Sequence, residues 1–334
     1  MNGIKNRNYT IDILRLLMAI FIVALHSNPF AEYNAVVSYF PSQVISRLGV
    51  PFFASIAGYY FFKNKSEKKY PKMLFRYFQT YVIWSGIYFL YLITVGRETE
   101  IGGDESLLYM LSMFFLTGFY HLWYMLAIMY TVIILWALSK LYNAEKYLYY
   151  TSFIFLLLGV LMFGYGKLFF TIPLIQNTFG KLNADINMQT QWIFLVIPFF
   201  MMGYGLSKKN IAETHVYKKC ELFLSFSLLA YFTEVLVLQV IDIKCSTTLC
   251  LFTYPVVYLL LIFAIKRPKI GNAKLAQYAA GIASFMYFGH ILFVLILQKL
   301  EISETSTYFI TVIITAILGA VIVKLDNTIL NKLI

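Results

Sequence analysis

Arg15 and His26 stand eleven positions apart in TIDILRLLMAIFIVALHSNPF, the apolar stretch from Thr10 to Phe30. Eleven positions are close to three helical turns, so the guanidinium and the imidazole share one face, roughly 16 Å apart along the axis. An imidazole titrates near neutral pH and can take a proton from a weak nucleophile such as a hydroxyl. A guanidinium pairs well with phosphate. Asp12, three positions before Arg15, is placed to orient it. About 20 apolar residues match the ~30 Å hydrocarbon core of a bilayer, and ionisable groups within such a span are costly enough to mark a pathway or a site. The pair suggests a reaction or passage that uses both sides of a membrane.

The elements that must position these residues are helices in lipid. With 60% hydrophobic and only 13% charged residues, the chain has too little charge to cover a water-soluble domain of 334 residues. The reading is an all-α, polytopic membrane helix bundle forming a single domain over 1–334. Apolar runs predict about ten transmembrane helices, at 10–30, 44–62, 73–95, 119–139, 148–164, 191–207, 220–241, 249–265, 276–298 and 307–325. A shorter run at 107–119 reads as an interfacial or re-entrant piece. The first helix is too long for a cleaved signal peptide, contains Arg15, and lacks a small-residue cleavage site after it.

Alternate loops differ sharply in Lys and Arg. One side holds Lys63, Lys65, Lys68, Lys69 and Lys72, then Lys208, Lys209, Lys218 and Lys219, then Lys266, Arg267, Lys269 and Lys274, among others. The other holds only Arg97, Lys167, Lys181, Lys244 and Lys299. By the positive-inside rule both termini are cytoplasmic, and the net charge of +11 is mostly this bias. Nothing offers the basic face and base-stacking geometry that nucleic-acid binding needs. Cys220, Cys245 and Cys250 show no metal-ligand spacing; Cys245 and Cys250 could pair if their loop is extracellular, but the odd count favours ordinary thiols. No metal site is expected.

Further candidates fall along the chain, each with an ordinary alternative. Arg47 opens the second span and Arg76 the third; both can bind anions or simply snorkel to head groups. His121, Trp123 and Tyr124, in HLWY, lie at the start of the fourth span, where Trp and Tyr commonly anchor an interface. Glu234 sits mid-helix in YFTEVLVLQV and needs a partner or a cavity. His290, in FMYFGH, fits either a site or a polar contact between helices. His215 reads as a solvated loop residue. In the second span, Pro51 with Gly49, Ala54, Ala57 and Gly58 permits a bent, closely packed helix.

The opening with Arg15 and His26 in R-x10-H, GVPFF at Gly49–Phe53 followed by AGYYFF, HLWY at His121–Tyr124 and YFGH at Tyr287–His290 together resemble the membrane-bound acyltransferase family 3. The resemblance runs over almost the whole chain and includes the ten-span plan. Through RLGVPFF, GFYHLWYM and the Glu234 helix the sequence is also similar to the membrane domains of vancomycin-resistance serine racemases; their cytoplasmic racemase domain is not expected here, since the sequence ends at Ile334.

The resemblance implies an integral-membrane O-acyltransferase of the bacterial cell membrane. Such an enzyme moves an acyl group, usually acetyl, from cytoplasmic acyl-CoA to a hydroxyl of an envelope glycan or lipid-linked sugar. On that reading His26 is the general base, and Arg15 and Arg76 meet the pantetheine or phosphates of acyl-CoA. Arg47, His121, Trp123, Tyr124, Glu234 and His290 are expected on the acceptor side. Expected partners are acyl-CoA, the envelope acceptor, membrane lipid, and further copies of the chain in a homo-oligomer. Two departures stand out: Ala57 replaces a Ser common before Gly-Tyr, and Thr190, Gln191 and Trp192 replace an Arg-Asn-Gly. They imply a different acceptor or reduced activity. The alternative function is transport of a small polar solute such as L-serine, with Glu234, His121 and Arg15 as polar lining; a non-catalytic scaffold leaves Arg15 with His26 unexplained.

Overall fold

A computed structural model describes residues 7–66, 68–95, 113–165, 191–209, 211, 219–240, 249–325 and 330–333, and every regular element among them is helical. Each of the ten apolar segments carries a helix. In order they are α1 (Tyr9–Ser27), α3 (Gly49–Lys63), α4 (Lys69–Thr94), α5 (Trp123–Leu138), α6 (Ala144–Gly159), α7 (Gln191–Ser207), α8 (Cys220–Val240), α9 (Thr253–Lys266), α10 (Ala273–Lys299) and α11 (Glu304–Leu325). A short α2 (Ala35–Tyr39) precedes α3.

Among the described residues, seven helical stretches are long and apolar enough to cross a membrane: Tyr9–Ser27, Ala35–Lys63, Tyr120–Leu138, Ala144–Met162, Cys220–Val240, Ala273–Lys299 and Glu304–Leu325. The apolar helices Trp192–Ser207 and Thr253–Lys266 are shorter. α4 is long but is diluted by Tyr, Gln, Thr and Ser on its inner face, of which Tyr81, Tyr88 and Ser85 are buried. The chain is a multi-pass helical membrane protein.

The second span departs from its sequence reading. The span expected at 44–62 begins earlier, at Ala35: α2 runs through a π-helical turn at Phe40–Ile45 and a 3-10 turn at Ser46–Leu48 directly into α3. Asn34 starts this run by accepting the Val36 and Val37 N–H groups. Of the 107–119 piece, residues from Met113 are described, and Met113–Thr117 is a π-helical turn. Thr190, His215 and Cys245 lie outside the described residues.

Two groupings position the site. In one, α1 packs along α10, and both touch α11; buried Ala19, Val23, Ala283 and Met286 form part of the seam. In the other, α3 packs along α7 so closely that the backbones touch. A Cβ on Gly58 would come within 2.0 Å of the Phe200 carbonyl oxygen, and one on Gly203 within 2.2 Å of the Tyr59 nitrogen. Glycines let the helices approach because lipid gives no hydrophobic drive between spans, leaving close packing to hold them. The α3–α7 seam fixes one wall of the site, and the α1–α10 seam fixes the other.

Candidate active site

The depth of α1 is set at its start. The Asn8 side chain accepts the Ile11 N–H at 3.0 Å and donates to the Ala264 carbonyl at 2.8 Å, and the Tyr9 N–H donates to the Pro268 carbonyl at 2.7 Å. These bonds tie the helix to the α9–α10 connection and fix where Arg15 and His26 fall against α10.

At the Arg15 end, charge is matched. The Asp12 carboxylate accepts from Arg7 at 2.6 Å and pairs with Arg15 at 3.7 Å, so Asp12 does orient Arg15, with a second arginine sharing it. Arg15 Nη2 also donates to Ser284 Oγ on α10 at 3.1 Å. Beside it opens a cavity of about 360 Å³ between α1, α3, α4, α5 and α10. Arg15, Lys69, Lys72 and Arg76 line it, with Asn64, Tyr60, Ser284 and Thr80. Lys69 is occupied by Glu145 at 3.1 Å and by the faces of Phe61, Phe62 and Tyr70. Lys72 and Arg76 are exposed and make no ion pair among the described residues. The cavity's inner end is aromatic and apolar: Phe53, Tyr124, Met125, Tyr287 and Phe288. Ala57 lies in its wall, so the departure from the family's Ser falls on the cavity itself.

At the His26 end, three imidazoles converge. The His26 ring is 5.2 Å from that of His290 and 6.5 Å from that of His121, and His121 and His290 are 4.7 Å apart. His121 and His290 are buried, and His26 is half-buried. His121 reaches the cluster through the 3-10 turn Tyr120–Leu122 that leads into α5. That turn depends on Gly118, at φ +75°, where a Cβ would strike the Trp123 nitrogen at 2.6 Å. His290 Nδ1 lies 2.9 Å from the Met286 carbonyl and 2.8 Å from that of Tyr287. Carbonyls only accept, so this nitrogen carries the proton and Nε2 a lone pair. That Nε2 and both ring nitrogens of His121 are buried without a hydrogen-bond partner. The cluster is not arranged as a metal site: among the described residues no three His, Cys, Asp or Glu side chains have that geometry.

Tyr287 stands between the two ends. Its side chain lines the cavity, while its ring lies 5.3 Å from His121 and 6.4 Å from His290. The histidines themselves do not line the cavity. Sequence reasoning quoted Tyr287 within YFGH but assigned it nothing; its position one turn before His290 was the available signal. Lys72, Lys69 and Ser284 were likewise passed over as loop or helix polarity.

The remaining candidates separate. Arg47 is not snorkelling to head groups: its guanidinium donates to Gln43 Oε1 at 2.7 Å, and it lies within electrostatic range of His26. It belongs to the histidine end and is absent from the cavity. Tyr124 is buried and lines the cavity, its ring 5.7 Å from Tyr287, so it lies on the Arg15 side of Tyr287. Trp123 is half-buried against the core and touches neither region. Glu234 has a different employment from the one expected. Its carboxylate accepts the Leu251 N–H at 2.6 Å and the Phe252 N–H at 2.9 Å, plus the Tyr165 hydroxyl. It therefore satisfies the unpaired N–H groups ahead of α9, where a negative charge is favoured. This partner explains a carboxylate at that depth without a substrate. The Trp192 ring lies tilted against that of Tyr130, ring centres 5.5 Å apart, also outside the cavity.

A multi-pass helical bundle with a cation-rimmed cavity abutting a buried imidazole cluster is the class that fold and site define. Within that class the chain belongs to the acyltransferase 3 family: the family model described as an acyltransferase domain matches residues 8–325. Two proteins of Enterococcus faecalis described as amino-acid racemases are each 24% identical to it. One matches over 222 residues, 63% of this chain and 31% of the relative; the other over 262 residues, 77% and 36%. The chain thus spans about a third of the length of the curated relatives it matches. No solved structure matches it.

Proposed function

We propose that the protein transfers an acyl group, acetyl in the simplest case, from acyl-CoA to a hydroxyl of an envelope glycan or related acceptor across a bacterial plasma membrane. The observation that carries the reading is the meeting, at Tyr287, of a cavity rimmed by the cations Lys72 and Arg76, unpaired among the described residues, with a cluster of three imidazoles. The donor carries phosphates at one end and a thioester at the other. Lys72 and Arg76, exposed and unpaired at the rim, suit the phosphates, and Arg15 with Ser284 suits the pantetheine amides further in. The basic loop 63–72 faces the cytoplasm by the positive-inside rule, which supports cytoplasmic entry and cytoplasmic termini.

Acyl transfer needs the hydroxyl oxygen to bond the thioester carbon as the C–S bond breaks. His26 takes the hydroxyl proton as that bond forms and returns it to the departing thiolate, so the base is regenerated. His121 and Arg47, gathered around His26, hold the acceptor. Tyr287 fills the space through which the thioester must reach His26, so its side chain moves during turnover. A second reading, prompted by relatives described as amino-acid racemases, is passage of a small polar solute such as L-serine. That reading, too, requires Tyr287 to move, since its side chain separates the cavity from the histidines.

The test is purified protein in proteoliposomes that also carry a cell-envelope extract, given radiolabelled acetyl-CoA in one arm and radiolabelled L-serine in the other. Label passing from acetyl-CoA into the extract, without serine accumulation, is the expected result. Serine uptake without thioester cleavage overturns it.

A further inference from the structure

We infer that His290 is the positioning residue for His26: a neutral imidazole locked in one tautomer, whose Nε2 accepts the His26 ring N–H and so turns the other His26 nitrogen toward the hydroxyl. The inference rests on the reading of His26 as base. A base of this kind ordinarily needs an orienting acceptor behind it, a task usually given to a carboxylate. Among the described residues no Asp or Glu makes a hydrogen bond or ion pair to any of the three rings. Asp12 is committed to Arg7 and Arg15, and Glu234 to the start of α9.

What stands in the acceptor's place is His290. Its Nδ1–H is held by the Met286 and Tyr287 carbonyls of its own helix, 2.9 and 2.8 Å away. This fixes both the ring orientation and the lone pair on Nε2, as a second ligand-side bond does for metal-bound histidines. That lone pair is buried and unused. The His26 and His290 ring centres are 5.2 Å apart, the spacing that an N–H···N bond of about 2.9 Å between two imidazoles produces. His26, the half-buried member, is the ring able to turn and make it. The other groups facing the pair are uncharged or cationic: His121, the Tyr88 and Tyr287 phenols packed on His121, and Arg47 acting on His26. A neutral acceptor suits such a place, since a buried carboxylate there would pair with Arg47 and pull the site's charge away from the reacting atoms. In the step itself the hydroxyl proton goes to His26, the acyl C–O bond forms, the C–S bond breaks, and the thiolate takes the proton from His26. His290 keeps its own proton throughout.

Two substitutions separate this role from a structural one. His290→Asn keeps a donor where Nδ1 sits and so keeps the carbonyl contacts, but removes the acceptor at Nε2. His290→Gln does the reverse. With radiolabelled acetyl-CoA as probe, kcat should fall roughly 10–100-fold in His290→Asn and only about threefold in His290→Gln, with KM little changed in both. Asn equal to or better than Gln overturns the inference, because a merely structural bond to α10 would rank them that way. Nitrogen NMR of 15N-histidine-labelled wild-type protein gives the check that needs no variant: His26 should show one neutral tautomer, and an even mixture overturns the pairing. Retained transfer in His26→Ala removes the base reading itself, whereas loss in His26→Ala with no Asn–Gln difference removes only the role of His290.

Discussion

The two ends of α1 handle polarity in opposite ways. Around Arg15, charges are answered by charges: Asp12 serves two arginines, Lys69 has Glu145, and the cations left over face an open cavity. Around His26, three rings press together, with His290 Nε2 and both His121 ring nitrogens lacking a hydrogen bond, and Arg47 is the cation that acts on His26 among the described residues. A matched, hydrated region binds; it holds its shape whether or not a ligand is present. An unmatched, dry region costs folding free energy and is kept where electrostatics at a reacting atom must be strong. On the proposed function, binding and chemistry are divided along one helix, with Tyr287 as the shared wall.

Four experiments test that division, from the largest effect down. His26→Ala should lower kcat for acetyl transfer by about 10²–10⁴-fold with KM for acetyl-CoA unchanged and the protein still folded in detergent; a rise in KM instead would merge the two ends. The double change Lys72→Ala with Arg76→Ala should do the opposite, raising KM about tenfold at low salt and leaving kcat alone. Because these cations are exposed, the KM difference from wild type should shrink as ionic strength rises; a defect in kcat would place them in the chemistry. Ala57→Ser puts a hydroxyl into the cavity wall and should shift KM by no more than about threefold, since it adds one weak hydrogen bond. Acceptor preference is the second readout of that variant, and a change there would mean that the cavity also holds the acceptor.

The smallest effect lies in the loop that follows the His26 end of α1. The Glu32 carboxylate accepts the Thr305 N–H at 3.1 Å, while the Phe30 N–H donates to Thr305 Oγ1 at 2.8 Å, stapling the loop to the start of α11. These hydrogen bonds, Thr305's first, hold Glu32 below the usual carboxylate range. A group depressed in the folded state contributes fully above its ordinary value and loses that contribution as pH falls through the lower folded value. Relative to the intrinsic exchange rate at each pH, the Thr305 amide should therefore be protected at pH 6 and lose protection at strongly acid pH. In Glu32→Gln, whose side-chain oxygen still accepts, this pH dependence should vanish while exchange at Arg15-end amides is unaffected.

Much of the fold was legible because lipid simplifies the problem. A helix in hydrocarbon must satisfy its own backbone, so a long apolar run can hardly be anything else, and all ten segments are helices. The reading failed at the start of the second span, expected at 44: Asn34 caps a helical run that begins at Ala35, and α1 packs on its turns at Phe40–Ile45 and Ser46–Leu48. Arg15 and His26 were legible from spacing alone, since one helix fixes their relation. Glu234 was misread because the N–H groups it satisfies belong to residues seventeen and eighteen positions on, in another element. His121 and His290 were identified separately, but nothing in their spacing says they touch.

By itself the sequence determined the medium, the helices and the R-x10-H register, because hydropathy and helical periodicity act over a single element. Only the tertiary structure decided that Lys72, Arg76 and Arg15 share one cavity, that Tyr287 closes it, and that three histidines from three elements meet beyond it. Those relations depend on how closely helices approach, which glycines such as Gly58 and Gly203 and anchors such as Asn8 set by contacts with residues far away in the chain.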